Sequence, residues 1–315
     1  MKRNLPIVIT GSLAYDHIMT FPDKFANHIL PDKVHMLNVS FGVDKLDVDF
    51  GGTAGNIAYN LALMGEKPSI YATAGNDFQN YAMKLRELEL PLDDIKILDD
   101  EKTAQAFITT DLADNQITAF HGGAMYRAHE YPLILSQKSI VIIAPNGIEA
   151  MVEHAKYCRK HDVTFIFDPG QAFAALTADQ LVKSAHHSLA LTLNDYEWQM
   201  WKEKTSLAED QTLELTENII ITKGEEGCRV VGRVGEFELQ AVTGLQVVDP
   251  TGSGDAFRAG LLYGLSRGWD LKKSAQTATV LASFCVESQG TQNHSFTEKE
   301  FKGRYEDTWK EKWVK

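Results

Sequence analysis

Short apolar runs recur through the second half of this chain, and helix-like stretches separate them. The runs span residues 140–144, 163–168, 189–193 and 218–222. They lack alternating polar positions, which is typical of strands buried on both faces of a parallel sheet. Helices are expected at residues 148–159, 178–185, 271–286 and 297–309. This β-α-β-α order predicts an α/β fold of three layers, with helices on both sides of a mostly parallel sheet.

A second strand pattern occupies parts of the first half. Apolar and acidic side chains alternate from Leu46 to Phe50, and residues 104–111 lead through Asp114 and Asn115 into 116–120 as a predicted hairpin. Strands with one wet face do not belong inside a doubly covered sheet. We therefore expect a small β lid over the ligand edge of the core. The lid would comprise residues 17–49 and 103–121, and the core residues 1–16, 50–102 and 122–315.

The charge and the cysteines limit the partners and the compartment. The net charge of −12 leaves no broad basic surface for nucleic acid or for an anionic membrane. Cys158, Cys228 and Cys285 lie far apart, so neither a disulfide framework nor a zinc site is indicated. No segment has the roughly 18 to 20 consecutive apolar residues of a membrane span. We expect a cytoplasmic protein without nucleic-acid or membrane partners.

The beginning of the chain predicts a buried first strand rather than a signal peptide. The apolar run from Leu5 to Leu13 is short and is interrupted by a proline and a glycine, and no cleavage site follows it. Asp16 comes just after this strand, at a carboxyl end, where ligands bind in open α/β sheets. Its carboxylate could accept two vicinal hydroxyls, although an isolated loop aspartate is more often solvated.

The stretch from Asp249 to Gly260 carries the clearest chemical signal. Gly252 and Gly254 allow a tight turn whose N–H groups converge at the positive end of a following helix, which forms an anion hole. Such donors would stabilise a phosphoryl group during its transfer. Asp255 then stands where it can take the proton from an attacking hydroxyl. The alternative is an ordinary loop with an acid at a helix start, since short glycine motifs match by chance.

A second glycine motif predicts a sugar site. Gly51 and Gly52 precede a helix with Asn56 in its first turn, where an amide can bond sugar hydroxyls while the glycines admit the ligand closely. Asn56 could equally be a helix-start asparagine beside a packing glycine. The signatures of P-loop kinases, dinucleotide dehydrogenases, zinc peptidases and serine hydrolases are all absent from the sequence.

Together the two motifs, in this order and about 200 residues apart, resemble those of the ribokinase-like, or PfkB, carbohydrate kinases over essentially the whole chain. The resemblance implies a ribokinase-like core with a lid and an ATP-dependent kinase activity. It implies catalytic roles for Asp255 and for the anion hole of Gly252, Ser253 and Gly254.

Further elements resemble the ATP and metal sites of this family. Asn194 to Glu197 resembles its N-x-x-E element, which implies that Glu197 acts on Mg²⁺ through water and that Asn194 lies near the phosphates. By itself Glu197 would more often be a solvated helix acid, and residues 222–227 a plain turn. A K⁺ near Asp249 and Thr251 is a further expectation of the resemblance. The ATP-binding set it implies is Asn194, Thr222, Gly224, Gly227, Thr251, Gly252 and Gly254.

Within the family, several features resemble adenosine kinases of bacteria and archaea. They are Gly11-Ser12, Asp168 to Gln171, Phe120 to Met125, Arg258, and Gly290 to Gln292. This resemblance places Asp16, Gly52 and Asn56 on the ribose. It places Ser12, Gln171, Phe107 and Phe120 around the base, where aromatic rings would stack on a purine. Phe107 and Phe120 could instead be lid core, and Gly122 stands where a proline is expected.

These expectations combine into phosphorylation of the 5′-hydroxyl of adenosine or a related nucleoside, with ATP as donor and Asp255 as base. One alternative acceptor is a free sugar such as ribose or fructose. Another is a different nucleoside, namely inosine, guanosine or cytidine. A catalytically silent nucleoside-binding protein is the alternative from another class. The protein is expected to be a monomer or a homodimer. Lid strands such as residues 46–50 have edges that some relatives pair across a dimer, but acidic side chains on an exposed strand edge also oppose such pairing.

Overall fold

The structure is a computed structural model, and it describes residues 4–29, 38–113, 115–233 and 235–314. Residues 30–37 of the predicted lid and Asp114 of the predicted hairpin turn lie outside these ranges. The strands are β1 Ile7–Thr10, β2 Ala14–Thr20, β3 Lys45–Gly51, β4 Ser69–Gly75, β5 Ile95–Leu98, β6 Ala104–Thr110, β7 Gln116–His121, β8 Ile140–Ile143, β9 Thr164–Phe167, β10 Ala190–Asn194, β11 Asn218–Thr222, β12 Cys228–Gly232 and β13 Gly235–Leu239.

The described ranges also contain α-helices. They are α1 Thr53–Leu63, α2 Gln79–Glu87, α3 Ile148–Lys160, α4 Ala178–Ala185, α5 Asp195–Thr205, α6 Glu209–Leu215, α7 Ser253–Ser266, α8 Leu271–Cys285 and α9 Glu298–Trp309. The four helices predicted from the sequence correspond to α3, α4, α8 and α9. None of the helices in the described ranges has the length and apolar character that crossing a bilayer requires.

The larger sheet has nine strands in the order β13-β12-β11-β10-β9-β8-β1-β4-β5. All neighbours pair in parallel except β11 with β12 and β12 with β13, which are antiparallel. The four continuous apolar runs of the second half became β8, β9, β10 and β11. The predicted mostly parallel sheet is therefore confirmed.

Helices cover both faces of this sheet, and successive residues of its strands therefore pack into different hydrophobic cores. In β8, Ile140 and Ile142 pack into a core that includes Leu261 and Phe301 of α7 and α9. Val141, the residue between them, packs into a second core on the side of α3, α4 and α5. Two apolar faces on one strand explain why its sequence does not alternate.

The smaller sheet has the order β3-β2-β6-β7. The predicted hairpin is present as the antiparallel pair β6 and β7. Strand β2 runs parallel to β6 and antiparallel to β3, and it begins at Ala14. Asp16 therefore lies within a strand of the small sheet, and the prediction that assigned it to the core segment 1–16 misplaced it. The remaining division into core and lid stays a prediction.

Candidate active site

The first turn of α7 forms the centre of the site. Its N-terminal cap is Gly252, with a left-handed φ of 82° that side-chain-bearing residues rarely adopt. The N–H of Ser253 donates to the carbonyl of Pro250 at 3.2 Å, so this member of the predicted anion hole has its amide engaged within the loop. Gly254 and Asp255 follow in the first turn, where backbone N–H groups point out of the helix toward an anion.

Asp255 faces the start of α1. The Asn56 side-chain amide donates to Asp255 Oδ2 at 2.8 Å, although the two residues are 199 positions apart. Burial raises the pKa of Asp255 to about 6, while the Arg258 guanidinium and the Asn56 hydrogen bond act in the opposite direction. A carboxylate with such a pKa is ionised at neutral pH and is a stronger base than an ordinary aspartate.

Asp16 reaches the same region from the small sheet. It pairs in register with Asp49 of β3, and burial together with the negative charge of Asp49 raises the pKa of Asp16 to about 6. Gly51 leaves room for this carboxylate, because a Cβ there would lie 2.2 Å from Asp16 Oδ2 and would displace it. Asp16 is close enough to Asp255 for its negative charge to contribute to the raised pKa of Asp255.

Tight backbone contacts join β1, the small sheet and α1. Gly52 has a φ of 83°, and a Cβ there would lie 2.6 Å from the carbonyl oxygen of Ser12. Ser12 is buried, and its hydroxyl accepts a hydrogen bond from the Thr53 N–H at 3.1 Å. Ser12 therefore stabilises the beginning of α1. Its predicted contact with the base of a nucleoside stays a prediction.

The two aromatic residues of the predicted lid lie on opposite faces of the small sheet. Asp16 pairs with Ala106, and Ala106 pairs with Phe120, so Phe120 shares the face of Asp16 and is half exposed there. Phe107 belongs to the alternate set of residues, and its ring stacks on His17 at a centroid distance of 4.5 Å. The prediction that both rings line one base is therefore wrong for Phe107, because neighbouring residues of a strand point to opposite faces.

A buried ion pair lies beneath the site. The Arg258 guanidinium of α7 contacts the carboxylate of Asp168, which follows β9, and one of its hydrogen bonds measures 2.7 Å. Burial raises the pKa of Asp168, and the charge of Arg258 opposes that change. Gln171 follows in the short 3₁₀ helix Gly170–Ala174 and is exposed. The pair holds α7 against the carboxyl edge of the large sheet, and the base contact of Gln171 stays a prediction.

The predicted Mg²⁺ residues form a capping box at the start of α5. Glu197 Oε2 accepts from the Asn194 N–H at 2.9 Å, and the Asn194 side chain accepts from the Glu197 N–H at 2.7 Å. Burial raises the pKa of Glu197. Among the described residues, no three His, Cys, Asp or Glu side chains come together as a metal-binding group. The donors present fit a Mg²⁺ bound by phosphates and reached from Glu197 through water, the manner typical of nucleotide sites.

Asp249 organises the loop in front of α7. Its carboxylate accepts from the Thr251 N–H and from the Gly290 N–H, both at 2.9 Å, and from the Gln289 side chain. Burial alone would raise the pKa of Asp249, but these hydrogen bonds lower it overall. The carboxylate is thus ionised and already surrounded by donors, and the K⁺ predicted beside it stays a prediction.

A cavity of about 680 Å³ opens beside the first turn of α7, a volume typical of small-molecule sites. Four residues of the predicted ATP set line it: Thr222, Gly224, Gly227 and Gly254. Its other walls are largely apolar and include Ala241 to Leu245, Phe257 and Val286. The cavity can therefore take a flat ring at one end and place a charged tail at the helix N-terminus. Asn194, Thr251 and Gly252 are not among its lining residues.

Two residues of the site were missed by sequence reasoning. Gln292 Nε2 donates to Asn56 Oδ1 at 3.0 Å and to the Tyr81 hydroxyl at 2.7 Å. That hydroxyl in turn donates to the Gly51 carbonyl at 2.8 Å. Gln292 was noted only as part of a resemblance and had no role. Nothing in the sequence indicated that Tyr81 belongs to the site, because an aromatic residue on the apolar face of a helix such as α2 is ordinary core.

The chain is similar in sequence and in fold to a known family of kinases. The profile of the pfkB family carbohydrate kinases matches residues 13–299. A nucleoside kinase of Burkholderia thailandensis, solved in complex with inosine, is 38% identical with a TM-score of 0.87 and covers 97% of this chain and 99% of its own. The same enzyme in complex with ADP-inosine has a TM-score of 0.84 at 39% identity, covering 97% of each chain.

An archaeal nucleoside kinase is also similar to this chain in both sequence and fold. A nucleoside kinase of Methanocaldococcus jannaschii is 30% identical over 290 residues, which is 91% of this chain and 92% of the relative. The M. jannaschii structure, described as an archaeal member of the ribokinase family, aligns with a TM-score of 0.87 at 28% identity over 96% of this chain and 99% of its own. The ribokinase-like fold predicted from the two glycine motifs is confirmed.

Proposed function

The chain belongs to the pfkB family of carbohydrate kinases, and on that premise we propose that it transfers the γ-phosphate of ATP to the 5′-hydroxyl of a nucleoside, adenosine or a related one. The observation that carries the proposal is the hydrogen-bonded pair of Asp255 and Asn56 at the start of α7. Asp255 directly follows Gly254, which lines a nucleotide-sized cavity, and the negative charge of Asp16 acts on Asp255. The similarity to nucleoside kinases over nearly the whole chain supports this acceptor class.

The proposed reaction is a direct in-line transfer. The adenine of ATP occupies the cavity lined by residues 241–245, and its phosphates extend to the N–H groups of the first turn of α7. The Asp255 carboxylate takes the proton of the acceptor's 5′-hydroxyl as the hydroxyl oxygen attacks the γ-phosphorus. The N–H groups stabilise the charge that develops on the equatorial oxygens.

The acceptor is held by groups from both sheets. The Asp16 carboxylate accepts the two vicinal hydroxyls of the ribose, and Gly52 lets the sugar approach the backbone. Phe120 stacks on the base from the lid, on the face that also carries Asp16. Closure of the lid would exclude water from the γ-phosphate and so limit hydrolysis of ATP.

The proposed cofactor is Mg²⁺, which neutralises phosphate charge when it is bound. Glu197 would act on it through water. Burial raises the pKa of Glu197, and the charges of Asp168 and Arg258 act on it in opposite directions. Asp249 and Thr251 would border the proposed K⁺. Assays of phosphoryl transfer to a nucleoside, with and without each cation, test whether the reaction depends on Mg²⁺ and on K⁺.

Inosine or another nucleoside is a second candidate acceptor. The relative with 38% identity was solved with inosine bound, and a ring stacked on Phe120 would tolerate either purine. Neither Ser12, whose hydroxyl is bonded to Thr53, nor the exposed Gln171 favours one base over the other in the present geometry.

Steady-state rates on a panel of acceptors test the proposal. Adenosine, inosine, guanosine, cytidine, ribose and fructose are each titrated at saturating ATP and Mg²⁺, with Asp255→Asn as the inactive control. We expect the highest kcat/KM for a purine nucleoside, with a large excess over ribose. Efficient turnover of ribose with little turnover of any nucleoside would overturn the proposal.

We also propose a cytoplasmic homodimer formed through the lid. Four exposed apolar side chains share the face of the small sheet that points away from Asp16: Leu46, Val48, Phe107 and Ile117. Apolar patches of this kind are typical of protein interfaces. Light scattering on the parent and on Phe107→Asp should give twice the chain mass and the chain mass, respectively. A monomeric parent would contradict the proposal.

A further inference from the structure

The loop between α8 and α9 contacts three parts of the candidate active site. Gly290 N–H binds the Asp249 carboxylate of the catalytic loop. The hydroxyl of Thr291 donates to the carbonyl of Phe50 in the lid strand β3 at 3.0 Å. Gln292 reaches Asn56 of α1. A single short segment thus joins the loop in front of α7, strand β3 and helix α1.

Gln292 is a built part of this junction. Its side chain is only 3% exposed, and Tyr81 beside it is fully buried. The Tyr81 hydroxyl donates its one hydrogen to the Gly51 carbonyl, so it must accept from Gln292. The two hydrogens of Gln292 Nε2 therefore go to Tyr81 and to Asn56 Oδ1.

The orientation of Asn56 follows from this arrangement. Because Asn56 Oδ1 accepts from Gln292, the NH₂ group of Asn56 must face the other way, toward Asp255 Oδ2. A rotated Asn56 amide would set its oxygen against the carboxylate, and two acceptors in contact repel each other. The orientation of the Asn56 amide is thus set by the hydrogen bond that its Oδ1 accepts from Gln292.

We propose that Gln292 is a positioning residue, which holds the Asn56 amide so that it donates to the catalytic carboxylate of Asp255. Through Tyr81 the same side chain ties this contact to Gly51, where the lid strand β3 ends. The inference rests on the proposed kinase function. It adds a residue outside the predicted acceptor and ATP sets that acts through Asn56 on the geometry and the charge state of the base.

A double-mutant cycle tests the proposal. Gln292→Leu removes both donors at similar volume, and we expect kcat to fall about tenfold, the loss typical of one hydrogen bond to a charged group. Asn56→Ala should lower kcat at least as much. Because Gln292 acts through Asn56, the double variant should match Asn56→Ala alone. Multiplied losses in the double variant would overturn the proposal.

The pH profile separates positioning from a merely structural role. Loss of the Asn56 hydrogen bond raises the pKa of Asp255 further, so the acid limb of kcat/KM should move to higher pH in Gln292→Leu. The other charged groups that face Asp255 are unchanged in this variant: Arg258, Asp168 and Asp16. An unmoved acid limb would overturn the proposal.

Gln276→Leu is the matched control. Gln276 is as buried as Gln292 and accepts from the Tyr305 hydroxyl at 3.1 Å, outside the candidate active site. This control should lose thermal stability but keep the parent kcat and acid limb. If Gln292→Leu does not fold, Tyr81→Phe tests the same chain of contacts, and a parent-like acid limb in that variant would overturn the proposal.

Different results would overturn the proposed kinase function and the proposed role of Gln292. A parent protein without turnover of any nucleoside would remove the proposed function itself. An active parent whose Gln292→Leu variant is equally active would remove only the role of Gln292.

Discussion

Replacing Asp255 by asparagine should change how the free energy of unfolding depends on pH. Asp255 has a pKa of about 6 in the fold against 3.8 for an ordinary aspartate. The folded protein therefore binds this proton more tightly than the unfolded chain does. The stabilisation from the proton is complete below about pH 3.8 and is lost as the pH rises through about 6. At neutral pH the ionised carboxylate costs the folded state about 3 kcal/mol, at about 1.4 kcal/mol for each tenfold change in proton affinity.

Asparagine cannot ionise, so the variant escapes this cost. Its free energy of unfolding relative to the parent should grow by about 2.4 kcal/mol between pH 4 and pH 7.5, because about 0.5 kcal/mol of the cost is already present at pH 4. Asp16 also has a pKa of about 6, and because it is present in both proteins its own titration contributes to both pH curves. Urea denaturation followed by tryptophan fluorescence across this pH range measures the effect. A difference between variant and parent that does not change with pH would refute the reasoning.

Four further substitutions test other parts of the account. Phe120→Ala should raise the nucleoside KM about tenfold through lost stacking, whereas Phe107→Ala, on the far face of the lid, should leave KM unchanged; equal effects on KM would contradict the assigned faces. Arg258→Met leaves Asp168 buried without its charge partner, and urea unfolding should show a loss of about 3–5 kcal/mol; an unchanged midpoint would exclude this role. Gly52→Ala forces a side chain onto a left-handed backbone and against Ser12, so the free energy of unfolding should fall by about 1–3 kcal/mol, and an unaltered value would show that the backbone gives way freely.

The core of the fold could be predicted because burial leaves a direct mark on the sequence. A strand such as β8 lies between two apolar cores, so every residue of it is apolar. Its four-residue length and the flanking helices then leave few alternatives to a parallel sheet. The helix periods and their capping residues are local, and the predicted helices end within a residue or so of those observed.

The faces of the small sheet could not be predicted in the same way. Phe107 and Phe120 are both aromatic and both belong to the predicted hairpin, but the faces on which they lie depend on the pairing register of β6 and β7 with β2. A shift of one residue would exchange their faces. The sequence of a strand that is half exposed on both sides does not fix that register. Asp16 was assigned to the core for a related reason, since the chain passes from β1 into the lid within four residues.

Contacts between distant segments were the other limit. Asn56 is paired with Asp255 and with Gln292, which are 199 and 236 residues away. No local period or cap reports such a pairing, and only the glycine motifs around Asn56 and Asp255 made their chemistry visible. Tyr81 and Gln292 lie outside those motifs, so their part in the network required the three-dimensional structure.

The measurement closest to the central claim is the rate of phosphoryl transfer by Asp255→Asn. A single turnover of radiolabelled ATP with the preferred nucleoside is followed at saturating concentrations, and nucleoside binding is measured separately by calorimetry. We predict transfer at least about a hundredfold slower than in the parent, with nucleoside affinity nearly unchanged. Transfer at the parent rate in the variant would contradict the assignment of Asp255 as the base.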